Sequence, residues 1–309
     1  MKKVDYDLVI IGGGPAGLTA GLYAARARLN VILLEKVVPG GQVVATDWIE
    51  NYPGFPEGIS GPDLVQKMTA QVQKFDLNIE TNAAISMDLS AAIKKITLSD
   101  RVITTHAIII ASGAFPKKLG VPGEDTFYGK GVSACATCDG PFFKDRVVAA
   151  VGGGDTAVQE SLFLTKFAKK VYLIHRRDQL RAEAILQERA LANEKIEFLW
   201  DSVLTGIQGL TDVEKISVQN LKTGDTKEIA VDGCFIWVGI LPNSEFLPED
   251  VELDQYGFIK VDANMQTSVA GVYAAGDVRS TPLRQIATAV GDAAIAVFSA
   301  EHYLQNVKV

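Results

Sequence analysis

The sequence predicts an α/β protein with two Rossmann-like domains. An apolar run of strand length leads into a glycine-rich turn, a helical pattern and a second apolar run at residues 7–36, which is one βαβ unit. The same succession recurs at residues 146–177. A repeat over this distance indicates two nucleotide-binding domains of one kind, and 309 residues suffice for both.

Composition narrows the class of protein and its partners. With 48% hydrophobic and 22% charged residues, the chain is typical of a folded protein with a sizeable core. The net charge of -7, without a Lys/Arg block, argues against nucleic acid and anionic membranes as partners. Asp5 and Asp7 interrupt the N-terminal apolar run, which is unlike a signal peptide, and the longest apolar run, around 107–111, is far below the ~20 residues of a membrane span. We therefore expect a cytoplasmic protein.

The first glycine loop predicts a dinucleotide site. Gly12, Gly14 and Gly17 form G-x-G-x-x-G between the strand at 7–11 and a helical pattern, and Glu35 ends the next strand. The glycines let the backbone approach a diphosphate at a helix N-terminus, and the carboxylate can accept hydrogen bonds from ribose hydroxyls. A glycine turn without a ligand is the alternative.

Two further segments favour FAD over NAD at this site. The stretch AAGD places Asp277 at the end of a late strand, where it can reach the ribityl and phosphate part of a flavin. GGQ at 40–42 supplies a second loop of close approach. Gly-Asp alone is commonly a turn, so the pairing with the first glycine loop carries the prediction. A helical pattern then extends from Gln285 to the C-terminal end.

The second glycine loop predicts NADPH. Gly152, Gly154 and Ala157 repeat the fingerprint, and the next strand ends in His175, Arg176 and Arg177, with Arg181 beyond. Guanidinium groups pair with a 2′-phosphate, whereas a carboxylate there would repel it. A solvated basic patch is the alternative.

Short β-rich segments follow at 214–240, so the domains could be contiguous or one could be inserted into the other.

The stretch SACATCDG places Cys135 and Cys138 three positions apart and Asp139 directly after them. A zinc site needs four ligands, and only Cys234 and three scattered histidines remain to complete one. No metal is expected. In a reducing compartment such a pair is more often redox-active than structural, and Asp139 could transfer a proton, although Asp-Gly is also common in turns.

Together these segments resemble the low-molecular-weight thioredoxin reductases, which are FAD enzymes of the pyridine nucleotide-disulfide oxidoreductase class. The resemblance covers essentially the whole chain. It rests on GGGPAGLTAGLYAARA at 12–27, GGQ at 40–42, ENYPG at 50–54, GVSACATCDGPFF at 131–143, GGGDTAVQE at 152–160, HRRDQLRA at 175–182, AAGDV at 274–278 and RQIATAVGDAA at 284–294. The CATC motif together with HRRxxxR is its most specific part.

The resemblance implies a particular architecture and chemistry. It implies two Rossmann-like domains with three-layer ββα architecture, a discontinuous FAD-binding domain at 1–116 and 246–309, and an inserted NADPH-binding domain at 117–245 that carries the CxxC. It also implies a homodimer that reduces thioredoxin, with Cys138 facing the flavin, Cys135 attacking thioredoxin and Asp139 as the acid-base group. A related flavin-dependent disulfide reductase with a different small redox-protein partner is the alternative.

The motifs and the resemblance together predict two sets of cofactor ligands. The FAD set is Gly12, Gly14, Pro15, Ala16, Gly17, Glu35, Lys36, Gly40, Gly41, Gln42, Asn51, Gly276, Asp277, Arg284, Gln285, Ile286 and Ala287. The NADPH set is Gly152, Gly154, Asp155, Thr156, Ala157, His175, Arg176, Arg177 and Arg181.

The order of the motifs also predicts a domain motion. The CxxC and the second glycine loop belong to one domain, yet both must approach a single flavin. We therefore expect the NADPH domain to rotate about its two connections, near residues 116 and 245, as the resemblance also implies. Pro116, Pro122 and Pro242 limit the freedom of these connections to few bonds.

Overall fold

The structure, a computed structural model, describes residues 4–46 and 48–307, without the side chains of Ala45, Thr137 and Cys138. Within it the chain splits into two compact units. Unit 1 comprises residues 1–115 and 241–309, and unit 2 comprises residues 116–240. The chain passes between the units at two strands, Ala114–Pro116 (β7) and Ile240–Pro242 (β16), which pair with each other as a two-stranded sheet.

The regular elements are as follows, in chain order. They are β1 (Tyr6–Ile11), α1 (Pro15–Arg26), β2 (Val31–Glu35), α2 (Gly61–Gln73), β3 (Asn78–Thr81), β4 (Ser86–Asp88), β5 (Lys94–Thr97), β6 (Val102–Ile110), β7 (Ala114–Pro116), β8 (Val132–Ser133), α3 (Ala136–Asp139), β9 (Val147–Val151), α4 (Asp155–Leu164), β10 (Lys170–Ile174), α5 (Ala184–Leu191), β11 (Ile196–Leu199), β12 (Ser202–Gln208), β13 (Lys215–Asn220), β14 (Thr226–Ala230), β15 (Gly233–Ile236), β16 (Ile240–Pro242), β17 (Val272–Ala274) and α6 (Ile286–Val307). Short 3-10 turns occupy Gly41–Ala45, Gly140–Phe143 and Gly276–Val278.

Unit 1 is built on a seven-stranded sheet in which six strands follow the order β3-β2-β1-β6-β5-β4 and the seventh, β17, pairs with β6. Strands β3, β2, β1 and β6 are parallel, and β5 and β4 continue the sheet in antiparallel fashion. The long strand β6 also pairs in parallel with β17, which follows the inserted unit in the chain. The C-terminal segment thus completes a sheet that the N-terminal segment begins.

The two faces of this sheet bury different apolar groups, as alternation along a strand requires. Leu8 and Ile10 of β1 belong to a core shared with α1 and α6. Val9 and Ile11 face the opposite core, which includes Val251 and other residues that precede β17. Because both faces are covered, β1 is a continuous apolar run, and this is why its sequence predicts a strand of a parallel sheet.

Unit 2 repeats the plan with a five-stranded parallel sheet, β11-β10-β9-β15-β8. Val148 and Ala150 of β9 face a core that includes residues of α4 and α5. Ala149 and Val151 face a core with residues of β12 and β13, which belong to the antiparallel sheet β12-β13-β14. The unit is therefore layered as antiparallel sheet, parallel sheet and helices, which confirms the predicted three-layer architecture.

Both predicted βαβ units are confirmed, as β1-α1-β2 and as β9-α4-β10. The predicted C-terminal helix is α6. In residues 4–46 and 48–307, no helix combines the length and hydropathy needed to cross a membrane.

Candidate active site

The first glycine loop lies at the carboxyl edge of the unit 1 sheet, directly after β1. Gly12 has φ +105°, and its amide donates to the carbonyl of Leu34 over 2.8 Å. A Cβ at Gly17 would overlap the Gly12 carbonyl oxygen, so α1 can pack this close to the strand end only with glycine there. The loop is thus built for close backbone approach, as its sequence predicts.

A second loop meets the first one at this edge. The Gly40 amide donates to the Gly13 carbonyl over 2.8 Å, and a Cβ at Gly41 would lie 3.3 Å from the Cα of Gly14. Gly14 is the N-cap of α1 and supplies no side-chain hydrogen bond. The first N–H groups of α1 therefore have no side-chain cap, which suits a diphosphate.

The carboxylate of Glu35 is fixed at the end of β2. One oxygen accepts from the Gly13 amide over 2.6 Å, and the other accepts from the Val37 amide over 3.1 Å. Each carboxylate oxygen can accept a further bond, so the group remains able to bind ribose hydroxyls. Lys36 and Gln42, also predicted ligands, are exposed nearby.

The turn after β17 brings the late predicted residues to the same sheet edge. A Cβ at Gly276 would lie 3.0 Å from the Cβ of Ala16, so this turn contacts the start of α1. Burial raises the pKa of the Asp277 carboxyl, and the positive charge of Arg284 opposes that shift. The Arg284 guanidinium lies 4.0 Å from the centroid of the Phe258 ring.

Asn51 and Gln285 are far apart in sequence but adjacent in the structure. The Asn51 amide donates to the Gln285 side-chain oxygen over 3.0 Å. Gln285 immediately precedes α6, whose first residues, Ile286 and Ala287, are also predicted ligands. Unit 1 therefore collects residues from its early and late segments around one sheet edge.

Sequence reasoning missed an ion pair beneath this turn. Arg279 binds Asp292 of α6 through two hydrogen bonds of 2.6 Å, and Asp292 also accepts from the Gly276 amide over 3.1 Å. Both side chains are largely buried. Asp292 lies among Ala289, Ala293 and other apolar positions of the α6 pattern. A lone carboxylate on an apolar helix face needs a cationic partner. The position of Asp292 in the sequence could therefore have predicted a buried ion pair.

In unit 2 the second glycine loop follows β9 at the corresponding edge. The Gly152 amide donates to the Ile174 carbonyl over 3.1 Å. Gly154 is the N-cap of α4, supplies no side-chain cap, and has no atom within 4 Å of a Cβ built on it. Thr156 and the buried Ala157 lie in the first turn of α4. An uncapped helix start with open space before it again fits a diphosphate.

The arginine segment at 176–183 is tied to this loop. The Arg181 amide donates to the Gly153 carbonyl over 2.7 Å, and the Asp155 carboxylate accepts from the Glu183 amide over 2.7 Å. Arg176, Arg177 and Arg181 are exposed. In the part of the chain that the structure describes, no carboxylate forms an ion pair with their guanidinium groups.

His175 differs from the arginines beside it because its ring is buried under the glycine loop. A Cβ at Gly153 would overlap the imidazole, and burial lowers the pKa of His175, which favours the neutral ring. Its Nε2 has no hydrogen-bond partner within the described residues. The His175 ring therefore packs directly against the backbone of the glycine loop.

The cysteine motif follows β8, the edge strand of the same parallel sheet. The Ser133 hydroxyl accepts from the Cys135 amide over 2.9 Å, and the Asp139 amide donates to the Cys135 carbonyl over 3.2 Å. The Trp237 indole N–H donates to the Ala134 carbonyl over 3.0 Å. Cys135 is half-buried and disulfide-bonded. The prediction for Cys138 concerns a side chain outside the described part.

Cys234 has a different environment. It lies in β15, fully buried, and burial raises the pKa of its thiol to about 12. No group of three or more His, Cys, Asp or Glu side chains suited to a metal ion occurs in residues 4–46 and 48–307.

The fold and these sites define a class of protein: two Rossmann-like units, each with an open helix start at its sheet edge, and a CxxC motif with a disulfide-bonded Cys135 on one of them. A family model described as pyridine nucleotide-disulphide oxidoreductase matches residues 6–293, and the chain belongs to that family. Its members are FAD-containing, NADPH-dependent enzymes, and the donor sets described above fit both groups. The predicted cofactors are therefore confirmed.

Particular relatives narrow the class. A protein named thioredoxin reductase from Peptoclostridium litorale is 44% identical over 98% of this chain and 98% of its own length. One from Bacillus subtilis is 43% identical over 98% of this chain and 96% of its own length. A crystal structure of Lactococcus lactis thioredoxin reductase superposes with a TM-score of 0.94 at 44% identity, over 97% of this chain and 99% of that one. The predicted resemblance and fold class are confirmed.

Proposed function

We propose that this protein reduces the disulfide of oxidised thioredoxin with electrons from NADPH, using FAD and the Cys135–Cys138 pair. One NADPH and one proton convert the thioredoxin disulfide to two thiols. The relatives with this activity in their names match nearly the whole chain. When bound, FAD accepts an electron pair from the nicotinamide and passes it to a disulfide.

The observation that carries the proposal is the shared sheet edge of unit 2. Strands β8, β15, β9 and β10 are parallel, so the CxxC after β8, the glycine loop after β9 and the arginines after β10 lie along one carboxyl edge. Ligands of open α/β sheets bind at this edge. Electron donor and disulfide relay therefore belong to one unit.

Residues of unit 1 hold the flavin cofactor. The α1 N-terminus and the loop at 40–42 bind its diphosphate, and Glu35 accepts from ribose hydroxyls. The half-buried Asp277 and the N-terminal turn of α6 bind the ribityl and ring portions.

Residues of unit 2 hold NADPH in the same manner. The open start of α4 binds the diphosphate, and the exposed guanidinium groups of Arg176, Arg177 and Arg181 bind the 2′-phosphate. Asp155 fixes the segment at 176–183 by accepting from the Glu183 amide, and His175 packs against the glycine loop at Gly153.

The cysteines exchange disulfides with the protein substrate. Cys135 would attack the thioredoxin disulfide to form a mixed disulfide, which Cys138 would then resolve, and Cys138 would be the sulfur that receives electrons from bound FAD. Asp139 gives a proton to the departing sulfur. A related reductase that uses another small redox protein remains the alternative, because recognition of a protein surface leaves no short motif.

A two-part experiment tests the activity. NADPH is expected to bleach the visible flavin spectrum of the wild-type protein, with equimolar NADH much less effective. Cys138→Ser is expected to retain this bleaching and to lose thioredoxin reduction, because the relay is broken after the flavin. Thioredoxin reduction by the variant at the wild-type rate would overturn the assignment, and comparison of thioredoxin with other disulfide proteins decides the partner.

We further propose that the protein acts as a homodimer in the cytoplasm. The reducing cytoplasm supplies NADPH and keeps a dithiol relay turning over. Light scattering is expected to give the mass of two chains.

A further inference from the structure

Lys222 lies beside the arginine segment and pairs with two carboxylates there. Its Nζ lies 2.8 Å from Asp201 Oδ2 and 3.6 Å from Asp178 Oδ2. Asp178 directly follows Arg177 in the chain, and the Asp201 amide donates to the Arg177 carbonyl over 3.2 Å. One lysine thus bridges the two acidic groups next to Arg177.

The backbone holds Lys222 at this place. It lies in the turn between β13 and β14, where its amide donates to the Asn220 side-chain oxygen over 2.9 Å. The amide of Leu221 donates to the Asp201 carbonyl over 2.6 Å, which fixes the hairpin turn to the turn after β11. Because the backbone is fixed, only the side chain of Lys222 has to become ordered for its ammonium group to reach both carboxylates.

Asp178 and Asp201 both pair with Lys222, and among the described residues neither carboxylate forms an ion pair with Arg176, Arg177 or Arg181. Arg177 has no ion pair among the described residues, although Asp178 follows it directly in the chain and the Asp201 amide donates to its carbonyl. The hydrogen bond with Asp201 raises the pKa of Lys222, so the lysine is positively charged at neutral pH.

We propose that Lys222 is a specificity-determining residue for NADPH, and that it acts by neutralising Asp178 and Asp201 so that the arginines can bind the 2′-phosphate. This rests on the proposed function, in which Arg176, Arg177 and Arg181 form the 2′-phosphate site. Without Lys222, the two carboxylates repel the phosphate and compete with it for Arg177.

The test compares nucleotide binding to FAD-loaded protein by calorimetry. In Lys222→Gln, the Kd for NADP+ is expected to rise about 3- to 10-fold, as loss of one charge near a phosphate in partly screened surroundings implies, and the Kd for NAD+ to change much less. Lys215→Gln is the matched control, because Lys215 also lies on this hairpin and pairs with an exposed carboxylate, Glu228, over 2.7 Å. It is expected to leave both constants unchanged.

A second set of variants separates neutralisation from direct contact with the phosphate. Adding Asp178→Asn and Asp201→Asn to Lys222→Gln is expected to restore wild-type affinity for NADP+, because no carboxylates remain to be neutralised. An unchanged NADP+ affinity in Lys222→Gln, or a loss that the added substitutions fail to restore, overturns the proposal. Arg176→Ala with Arg177→Ala checks the underlying site: if NADP+ affinity is unaffected there, the proposed 2′-phosphate site itself is wrong.

Discussion

The carboxylate of Asp292 joins the turn after β17 to the helix α6 of unit 1. It binds the guanidinium of Arg279 and the amide of Gly276, and so connects the turn that carries Asp277 to the helix α6. Asp292→Ala is expected to lower the free energy of unfolding by about 3 kcal/mol or more, because it leaves the largely buried Arg279 charge without its carboxylate partner. It is also expected to weaken FAD binding, measured by fluorescence titration of the apoprotein.

The control for this prediction is the exposed pair Lys118–Asp125, whose nitrogen and oxygen lie 2.6 Å apart. Asp125→Ala is expected to change the free energy of unfolding by about 1 kcal/mol at most, because an exposed pair is well screened. Equal effects of the two alanine variants would contradict the role given to Asp292.

Cys234 is predicted to be chemically inert in the native protein. Cys234→Ala is expected to retain thioredoxin reduction, and a thiol reagent is expected to leave native Cys234 unmodified, because the thiol is buried and its pKa is raised to about 12. Rapid modification without unfolding, followed by mass spectrometry, would contradict this.

The same thiol predicts a loss of stability in alkali. In the unfolded chain a cysteine loses its proton near pH ~8.5, whereas the native thiol keeps it up to about 12. Its stabilising contribution is full below the unfolded pKa and is lost as the pH rises through the native pKa. The urea midpoint is therefore expected to fall less between pH 7 and pH 10 in Cys234→Ala than in wild type. Burial also raises the pKa of Tyr273 to about 12, but both proteins contain this tyrosine, so the difference between them reports on Cys234.

At the scale of elements, the two helices that follow the glycine loops, α1 and α4, begin differently from α2. Helix α2 starts with the side-chain oxygen of Ser60 accepting from the Asp63 amide over 3.1 Å. Helices α1 and α4 start at glycines without a side-chain cap. Open helix starts cost stability in the absence of a ligand, so their presence at both sheet edges supports phosphate binding.

Gly154→Asp tests this at α4. The new carboxylate has room, caps the helix start and repels a diphosphate, so the Kd for NADPH is expected to rise at least about tenfold while the melting temperature is maintained. Gly154→Ala fits the same space without the charge and is expected to bind NADPH much more tightly than Gly154→Asp. Equal binding by the two variants would exclude the α4 start as the diphosphate site.

Element positions were largely predictable, because strand and helix periodicity are local properties of the chain. The apolar run at 7–11 became most of β1, and the run at 31–36 became β2 with Glu35 at its end. The register of β6 with β17 was not predictable from any local pattern, because this pairing joins the segments before and after the inserted unit. Partners so distant in sequence share no local pattern.

At the scale of the whole molecule, the chain crosses between the units only near residues 115 and 240. We expect unit 2 to rotate about these crossings, because the CxxC and the NADPH site lie on one sheet edge and must each approach a single flavin. A reversible cross-link between the units is expected to abolish turnover with thioredoxin, and reduction of the link to restore it. Full turnover in the linked protein would contradict the rotation.

The sequence by itself determined the two βαβ units, the glycine loops and the cysteine motif, since each depends on backbone conformation and side-chain chemistry within a short segment. Only the tertiary structure decided that Asp292 pairs with Arg279, that His175 lies beneath its loop, and that Lys222 occupies the carboxylates beside Arg177. The physical reason is that charge pairing and burial depend on which segments the packed core brings together. The spacing of residues along the chain does not contain that information.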